Sequence, residues 1–163
     1  MNIQLQMWVR DIRQKYISNP GVVLEIGSLD LNGSIRRFFC GATKYTGIDM
    51  RPGENVDIVI NAHDLLSIIQ PQSIDTVLAV DVLEHDDAFW RTLEVVNTII
   101  KKDGHFLVAV PSLWGVHRHP KDYWRFQEDG LKEVLMKGYS IKESDALMEP
   151  SGNTILCAYG RKL

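Results

Sequence analysis

The chain of 163 residues has only two cysteines, Cys40 and Cys157, which is too few for a disulfide framework. A reducing compartment is therefore the default. No apolar run approaches membrane-spanning length, and Arg10, Asp11, Arg13 and Lys15 stand where a signal peptide would need apolar residues. A soluble, cytoplasmic protein is expected, with no membrane partner. Charge of either sign is also scarce in excess. A formal net charge of −3 gives no global attraction to nucleic acid or anionic lipid, so nucleic acid is disfavoured as a partner. Internal repeats and low-complexity tracts are missing, and no Gly-x-Gly-x-x-Gly run marks a dinucleotide site. The length suits one domain over 1–163, with a core that needs no staple.

What is present centres on Val22-Val23-Leu24-Glu25-Ile26-Gly27-Ser28-Leu29-Asp30-Leu31-Asn32-Gly33. The apolar, β-branched start predicts a strand buried on both faces. Gly27 ends it, and Asp30, Asn32 and Gly33 tolerate tight turns and positive φ. Ser34 to Phe39 then reads as the start of a helix. A strand, a small-residue turn and a helix together aim backbone N–H groups at a ligand. A nucleotide-binding fold of this kind needs a carboxylate roughly 20 residues further on, to receive ribose hydroxyls. Asp49 stands 22 residues after Gly27.

The remaining chain alternates strands and helices. Residues 1–19 predict an amphipathic helix through Ile3, Met7, Trp8, Ile12 and Tyr16, stopped by Asn19-Pro20-Gly21. A second strand ends at Asp49, a third covers Val56 to Ile60, and a fourth covers Ile74 to Val80. Asp86 to Lys102 has helical periodicity, and His105 to Val110 makes a fifth strand. Pro111 to Phe126 is a loop dense in aromatic, histidine and basic residues. A helix around Leu131 to Met136 has Gly138 as its cap. Tyr139 to Leu147 and Thr154 to Arg161 finish as two strands with no helix between, so they should be antiparallel.

In that order the residues resemble the class I S-adenosylmethionine-dependent methyltransferases, in their small-molecule and glycan-type branch. Val22-Leu24-Glu25-Ile26-Gly27 is similar to the family's first motif and Tyr45-Gly47-Ile48-Asp49 to its second. Asp64 is similar to its residue near the adenine, and Asp75-Thr76-Val77 to Val82-Leu83-Glu84-His85 to its segment at the fourth strand. Lys102-Asp103-Gly104-His105-Phe106 sits at its usual Pro-Gly-Gly turn. His119-Pro120-Lys121-Asp122-Tyr123-Trp124-Arg125-Phe126 resembles a run found in some members of this branch. Leu29 and Leu31 depart from the pattern, holding positions where the family prefers glycine. The resemblance implies an α/β, Rossmann-like three-layer sandwich. Its seven-stranded, mostly parallel sheet has the order 3-2-1-4-5-7-6, with strand 7 antiparallel. The implied cofactor is S-adenosyl-L-methionine.

Roles follow from that ligand, a cationic sulfonium carrying an amino acid and an adenosine. Gly27 and Ser28 allow close backbone approach at the amino-acid end, where Glu25 brings negative charge. Asp49, followed by Met50, can accept both ribose hydroxyls. Asn61, His63 and Asp64 would border the adenine, and Asp81 and Val82 face the crevice at the topological switch point. Transfer needs little beyond in-line placement, which is worth roughly 7–11 kcal/mol. A hydroxyl acceptor also needs a base, for which His85, His117 and His119 are candidates. Arg118, Asp122, Tyr123 and Trp124 are candidates for contacting the acceptor, a small polar molecule such as a sugar or nucleotide-sugar.

Plainer roles compete at several of these positions. Phe126 is expected to anchor its loop, and Trp8 and Phe89 to pack. His117, His119 and Asp122 have a spacing a metal could use, but loop histidines beside Arg118 and Lys121 are more often hydrogen-bonded or solvated, so no metal is expected. A dinucleotide oxidoreductase and an aminopropyl transferase remain alternatives. So does a non-catalytic module of the same fold. With almost no insertion to serve as a lid, a second copy or a partner protein is expected to complete the site.

Overall fold

The structure, a computed structural model, describes residues 2–31, 33–118 and 121–163. Asn32 and His119 lie outside the described residues. Helix α1 (Ile3–Tyr16) precedes strand β1 (Val22–Ile26), and β2 (Lys44–Asp49), β3 (Ile58–Val59) and β4 (Ile74–Val80) follow. Helix α2 (Phe89–Ile99) then leads into β5 (Ile100–Leu113), and the chain finishes with β6 (Tyr139–Met148) and β7 (Thr154–Lys162). These strands form one sheet in the order β3-β2-β1-β4-β5-β7-β6. All neighbours pair in parallel except β7, which is antiparallel to both β5 and β6. The expected order is the observed one.

Strand alternation explains the three layers. In β4, Val77 and Ala79 face the α2 side, whereas Leu78 and Val80 face the α1 side. Leu24, Ile26, Phe106, Val108 and Leu93 fill the first core; Leu5, Val9, Ile12, Val23, Leu107 and Tyr159 fill the second. The Asn2 side chain caps α1, accepting from Leu5 N at 2.9 Å. The far end of α1 is tied to the last strands. Trp8 Nε1 donates to Asp145 Oδ2 at 2.7 Å, Tyr16 Oη donates to Glu143 Oε2 at 2.6 Å, and Lys15 Nζ lies 2.8 Å from the same oxygen.

Several elements differ from expectation for local reasons. Ser34 to Phe39 yields only a 3-10 turn over Arg36–Phe39, because the stretch buries just Ile35 and Phe39 before Gly41 ends it. The third strand shrinks to Ile58–Val59, both exposed at the sheet edge. Helix α2 starts three residues late, since Asp86 is extended and its Oδ1 accepts from Ala88 N at 2.9 Å. It also ends early, because Ile100 already pairs with Ile74 in the sheet. The last expected helix is a single π turn, Gly130–Leu135, followed by Gly138 at φ 89°.

After β1 the chain steps outward to β2 and β3, then returns and steps the other way to β4 and β5. The carboxyl ends of β1 and β4 therefore flank a crevice, where open α/β sheets bind ligands.

Candidate functional site

A cavity of about 770 Å³ opens at that switch point. Such a volume is ordinary for a small-molecule site. Ile26 and Gly27 from β1, Ile48, Asp49 and Met50 from β2, and Val80, Asp81 and Val82 from β4 line one end. The turn Asn61-Ala62-His63 closes that end, while Glu84, His85, Pro111, Trp114, His117, Lys121 and Tyr123 line the other.

Gly27 sits at φ 75°, and a Cβ there would come 2.6 Å from Val82 Cγ2. Only glycine lets β1 turn this close to β4. The turn is pinned where Gly27 N and Ser28 N both donate to Ile48 O at 2.9 Å. Asp49 Oδ1 accepts from Arg51 N at 2.9 Å, which fixes the carboxylate at the end of β2. Asn61 caps the next turn by accepting from His63 N at 2.9 Å. His63 Nε2 contacts Asp86 Oδ1 at 3.0 Å, and Asp86 Oδ2 accepts from Thr92 Oγ1 at 2.6 Å, so one carboxylate clamps the turn to α2.

At the end of β4, Asp81 holds a left-handed backbone, φ 51°, although it is not glycine. Such strain, about 1–3 kcal/mol, is found where a side chain must be aimed. Burial raises the carboxyl of Asp81, and His117 pulls it partly back. Glu84 is 1% exposed, and burial, then the neighbouring Asp81, hold its carboxyl well above the usual carboxylate range. The Glu84 carbonyl accepts from Tyr123 N at 2.8 Å and from Trp124 N at 3.3 Å, tying Tyr123 and Trp124 to the 3-10 turn Leu83–His85 that follows β4. Arg125 then ties the loop base. Its Nη1 and Nη2 reach the two Asp122 oxygens at 2.5 and 2.6 Å, its Nε reaches Trp114 O at 3.0 Å, and its Nη2 reaches Gly115 O at 2.9 Å. That guanidinium holds the Asp122 carboxyl well below its ordinary range.

Of the residues singled out in the sequence, Gly27, Asp49, Met50, His63, Asp81, Val82, His85, His117 and Tyr123 line the cavity. Others lie elsewhere. Glu25 faces the α1 side of β1, buried, and accepts from Tyr45 Oη at 2.7 Å. Burial pushes its carboxyl up to about 7. Ser28 is buried away from the cavity, its Oγ against the position a Gly47 side chain would occupy. Asp64 and Arg118 are exposed and outside the wall. Asp122 serves Arg125, and Trp124 packs edge-on to Phe89 with its Nε1 donating to Asp86 O at 2.7 Å. Trp124 thus anchors the loop as Phe126 does, and Phe126 is 6% exposed.

Residues the sequence reading gave no role are Leu29, Leu31, Arg51, Glu84, Asp86, Trp114 and Lys121, all on the wall. Asp86, placed just before an apolar helical pattern, carried a recognisable capping signature. Glu84 carried a weaker one, a second acid three residues beyond Asp81 after the apolar run Val77 to Val80.

No protein-family model matches the chain, and no curated protein sequence does. Solved structures do match in fold. One is the 1,6-didemethyltoxoflavin-N1-methyltransferase of Burkholderia thailandensis, crystallised with bound 1,6-didemethyltoxoflavin and S-adenosylhomocysteine. It is 20% identical, with a TM-score of 0.77 over 96% of this chain and 77% of that one. Another is the N-methyltransferase NodS of Bradyrhizobium japonicum WM9 with S-adenosylhomocysteine, at 14% identity and a TM-score of 0.73, covering 98% of this chain and 86% of that one. The [4+2]-cyclase SpnF also matches, at 13% identity and a TM-score of 0.75, covering 96% and 81%. The fold is thus one shared by S-adenosylmethionine-dependent methyltransferases, and at these identities the likeness is one of fold.

Proposed function

We propose that this protein is an S-adenosylmethionine-dependent methyltransferase acting on a small polar acceptor. The carrying observation is the Gly27–Asp49 pair on one wall of the switch-point cavity. The glycine cradle would be filled by any side chain, and the carboxylate is fixed by a single backbone donor. The donor set fits the group. Among the described residues, Asp49, Asp81, Glu84, Asp86, Asp87 and Glu149 line the cavity with Arg51 and Lys121, an acidic excess that suits a cationic ligand.

When bound, S-adenosyl-L-methionine supplies a methyl group already activated on sulfur. Gly27 admits the amino-acid end, Asp49 accepts from the ribose hydroxyls, and the Asn61–His63 turn borders the adenine. Asp81, aimed by its strained backbone, faces the crevice between the two ends. Transfer falls to no single group; holding the reactants in line is the chain's main contribution. Pro111, Trp114 and Tyr123 wall the acceptor end, where an acceptor the size of a sugar or nucleotide-sugar has room. A small acceptor rather than nucleic acid agrees with the mild net charge.

Calorimetric titration with S-adenosylmethionine and S-adenosylhomocysteine tests this reading. Wild type is expected to bind both, and Asp49→Ala to weaken binding by about 1.5–3 kcal/mol, the scale for a lost charged hydrogen bond. Folded protein that binds neither ligand overturns the proposal.

A second reading is favoured by one observation. Leu29 and Leu31 form an apolar lip on the cavity, and a [4+2]-cyclase shares the fold, so the same frame serves more than one function. Under it the chain is a binding module acting with a partner protein. Binding of the cofactor without methyl transfer to any of a panel of small polar acceptors would favour it.

A further inference from the structure

Three side chains at the acceptor end converge on one point. Glu84 Oε1 lies 3.6 Å from His85 Nε2 and 3.8 Å from His117 Nε2. One ligand atom from each residue falls within 4.8 Å of the others. Around a divalent ion at about 2.1 Å, neighbouring ligand atoms stand roughly 3.0–3.4 Å apart in octahedral or tetrahedral geometry. The two Glu84 edges are therefore a few tenths of an ångström from coordination, and His117 sits on a partly exposed loop whose side chain can close the rest.

Two independent features point to a cation here. Glu84 is 1% exposed and lines the cavity, yet its Oε2 has no hydrogen-bond partner among the described residues. A buried carboxylate oxygen in that state costs stability unless something positive meets it. The second feature is the outer nitrogen of each imidazole. His85 Nδ1 contacts the Lys121 carbonyl, and His117 Nδ1 lies 3.3 Å from Gly115 O and 3.4 Å from Asp122 Oδ2. Arg125 Nη2 is also 3.5 Å from His117 Nδ1, but it already serves Asp122 and Gly115. Acceptors at Nδ1 place the ring proton there and leave Nε2 with its lone pair, the arrangement that metal-binding histidines use.

We propose that Glu84, His85 and His117 bind one divalent transition-metal ion, of the manganese-to-zinc series, at the acceptor end of the cavity. Two imidazoles and one carboxylate suit such an ion better than magnesium or calcium, which prefer an all-oxygen set. All three residues line the cavity, so the remaining coordination positions are open to water or to an oxygen of the acceptor. The proposal replaces the sequence expectation of no metal. It also recasts His85 and His117 as ligands rather than bases, since an Nε2 lone pair given to a metal does not take a proton. It stands independently of the methyl-transfer reading.

The test uses the untagged, chelator-stripped 163-residue protein titrated with Co²⁺, read by its ligand-field absorption, with Mg²⁺ as the comparison ion. Wild type is expected to bind one Co²⁺ per chain and to ignore Mg²⁺ at the same concentration. Glu84→Gln and His117→Gln are each expected to weaken binding at least about tenfold. His117 lies on a surface loop, so circular dichroism of His117→Gln should match wild type and keep the test valid if Glu84→Gln misfolds. No Co²⁺ absorption, or binding unchanged in folded His117→Gln, overturns the site. S-adenosylhomocysteine titrated into the same samples separates the two proposals: Co²⁺ binding alone supports the metal site and sinks methyl transfer, and cofactor binding alone does the reverse.

Discussion

The two ends of the cavity are held by different kinds of bond. At the β1–β2 end, position is set by backbone: parallel ladders, two amides on Ile48 O, and one glycine that no other residue can replace. At the other end, side chains share that task with the backbone. One guanidinium gathers Asp122 and the carbonyls of Trp114, Gly115 and Trp124, and the Glu84 carbonyl gathers two amides. A backbone-built end tolerates side-chain change and is formed with the sheet. A side-chain-built end hangs on a few groups, and it can be lost while the sheet stands.

The largest expected effect breaks that second end. Arg125→Met leaves Asp122, whose side chain is 1% exposed, as a buried carboxylate without its partner. Removing one member of such a pair costs about 3 kcal/mol or more, read by chemical denaturation. S-adenosylhomocysteine affinity should stay within twofold of wild type. A large loss of affinity would show that the two ends are not separable, and adding Asp122→Asn should recover part of the stability.

Next in size is a pH effect on the backbone-built end. Glu25, on the far face of β1, has its carboxyl pushed up to about 7 by burial, against 4.5 for an exposed glutamate. Between those values the folded state holds a proton that the unfolded state has released. Stability from this group is therefore complete below about pH 4.5 and is lost as pH rises through 7. The full loss is up to about 3 kcal/mol. Urea midpoints measured from pH 5 upward should fall for wild type and fall less for Glu25→Gln. Equal slopes would remove Glu25 as the cause.

Asp49→Ala, the test of the cofactor site, ranks third at about 1.5–3 kcal/mol in ligand affinity, with little change in stability. The smallest effect sharpens the contrast by doing almost nothing. Ser28→Ala removes a buried hydroxyl that has no partner among the described residues, so unfolding should be unchanged or slightly harder, by less than about 1 kcal/mol. A loss of cofactor affinity in Ser28→Ala would show that this hydroxyl reaches the site after all.

The sequence was most readable where periodicity speaks. Strand β4 runs from Ile74 to Val80 as expected, the strand count follows from the succession of elements, and the strand order is the one the family resemblance implies. Glu25, expected near the amino-acid end of the cofactor, lies off the cavity wall. Val22, Leu24 and Ile26 share a face, so strand alternation alone sends Glu25 to the opposite side, toward Tyr45. Asp64 is likewise off the cavity wall: Asn61 and His63 at the 3-10 turn line the cavity, and Asp64 is exposed. The 114–126 loop was opaque because loops have no period. Its order comes from long-range contacts, Arg125 to Trp114 and Trp124 to Asp86, that spacing does not encode.

The attachment of α1 has a consequence for the order in which the chain matures. Trp8 meets Asp145, 137 positions later, and Tyr16 meets Glu143, 127 positions later. During synthesis the first helix leaves the ribosome long before the strands that receive it. Its apolar face, Leu5, Val9 and Ile12, shares a core with Val23, Leu78 and Leu107, but that core is complete only when Ile155, Cys157 and Tyr159 of β7 have taken their place between β5 and β6. Such late, distant closure slows folding and prolongs exposure of sticky surface. Chains stalled before residue 154 should therefore be held by chaperones, and the last nine-residue strand acts as the latch that releases them.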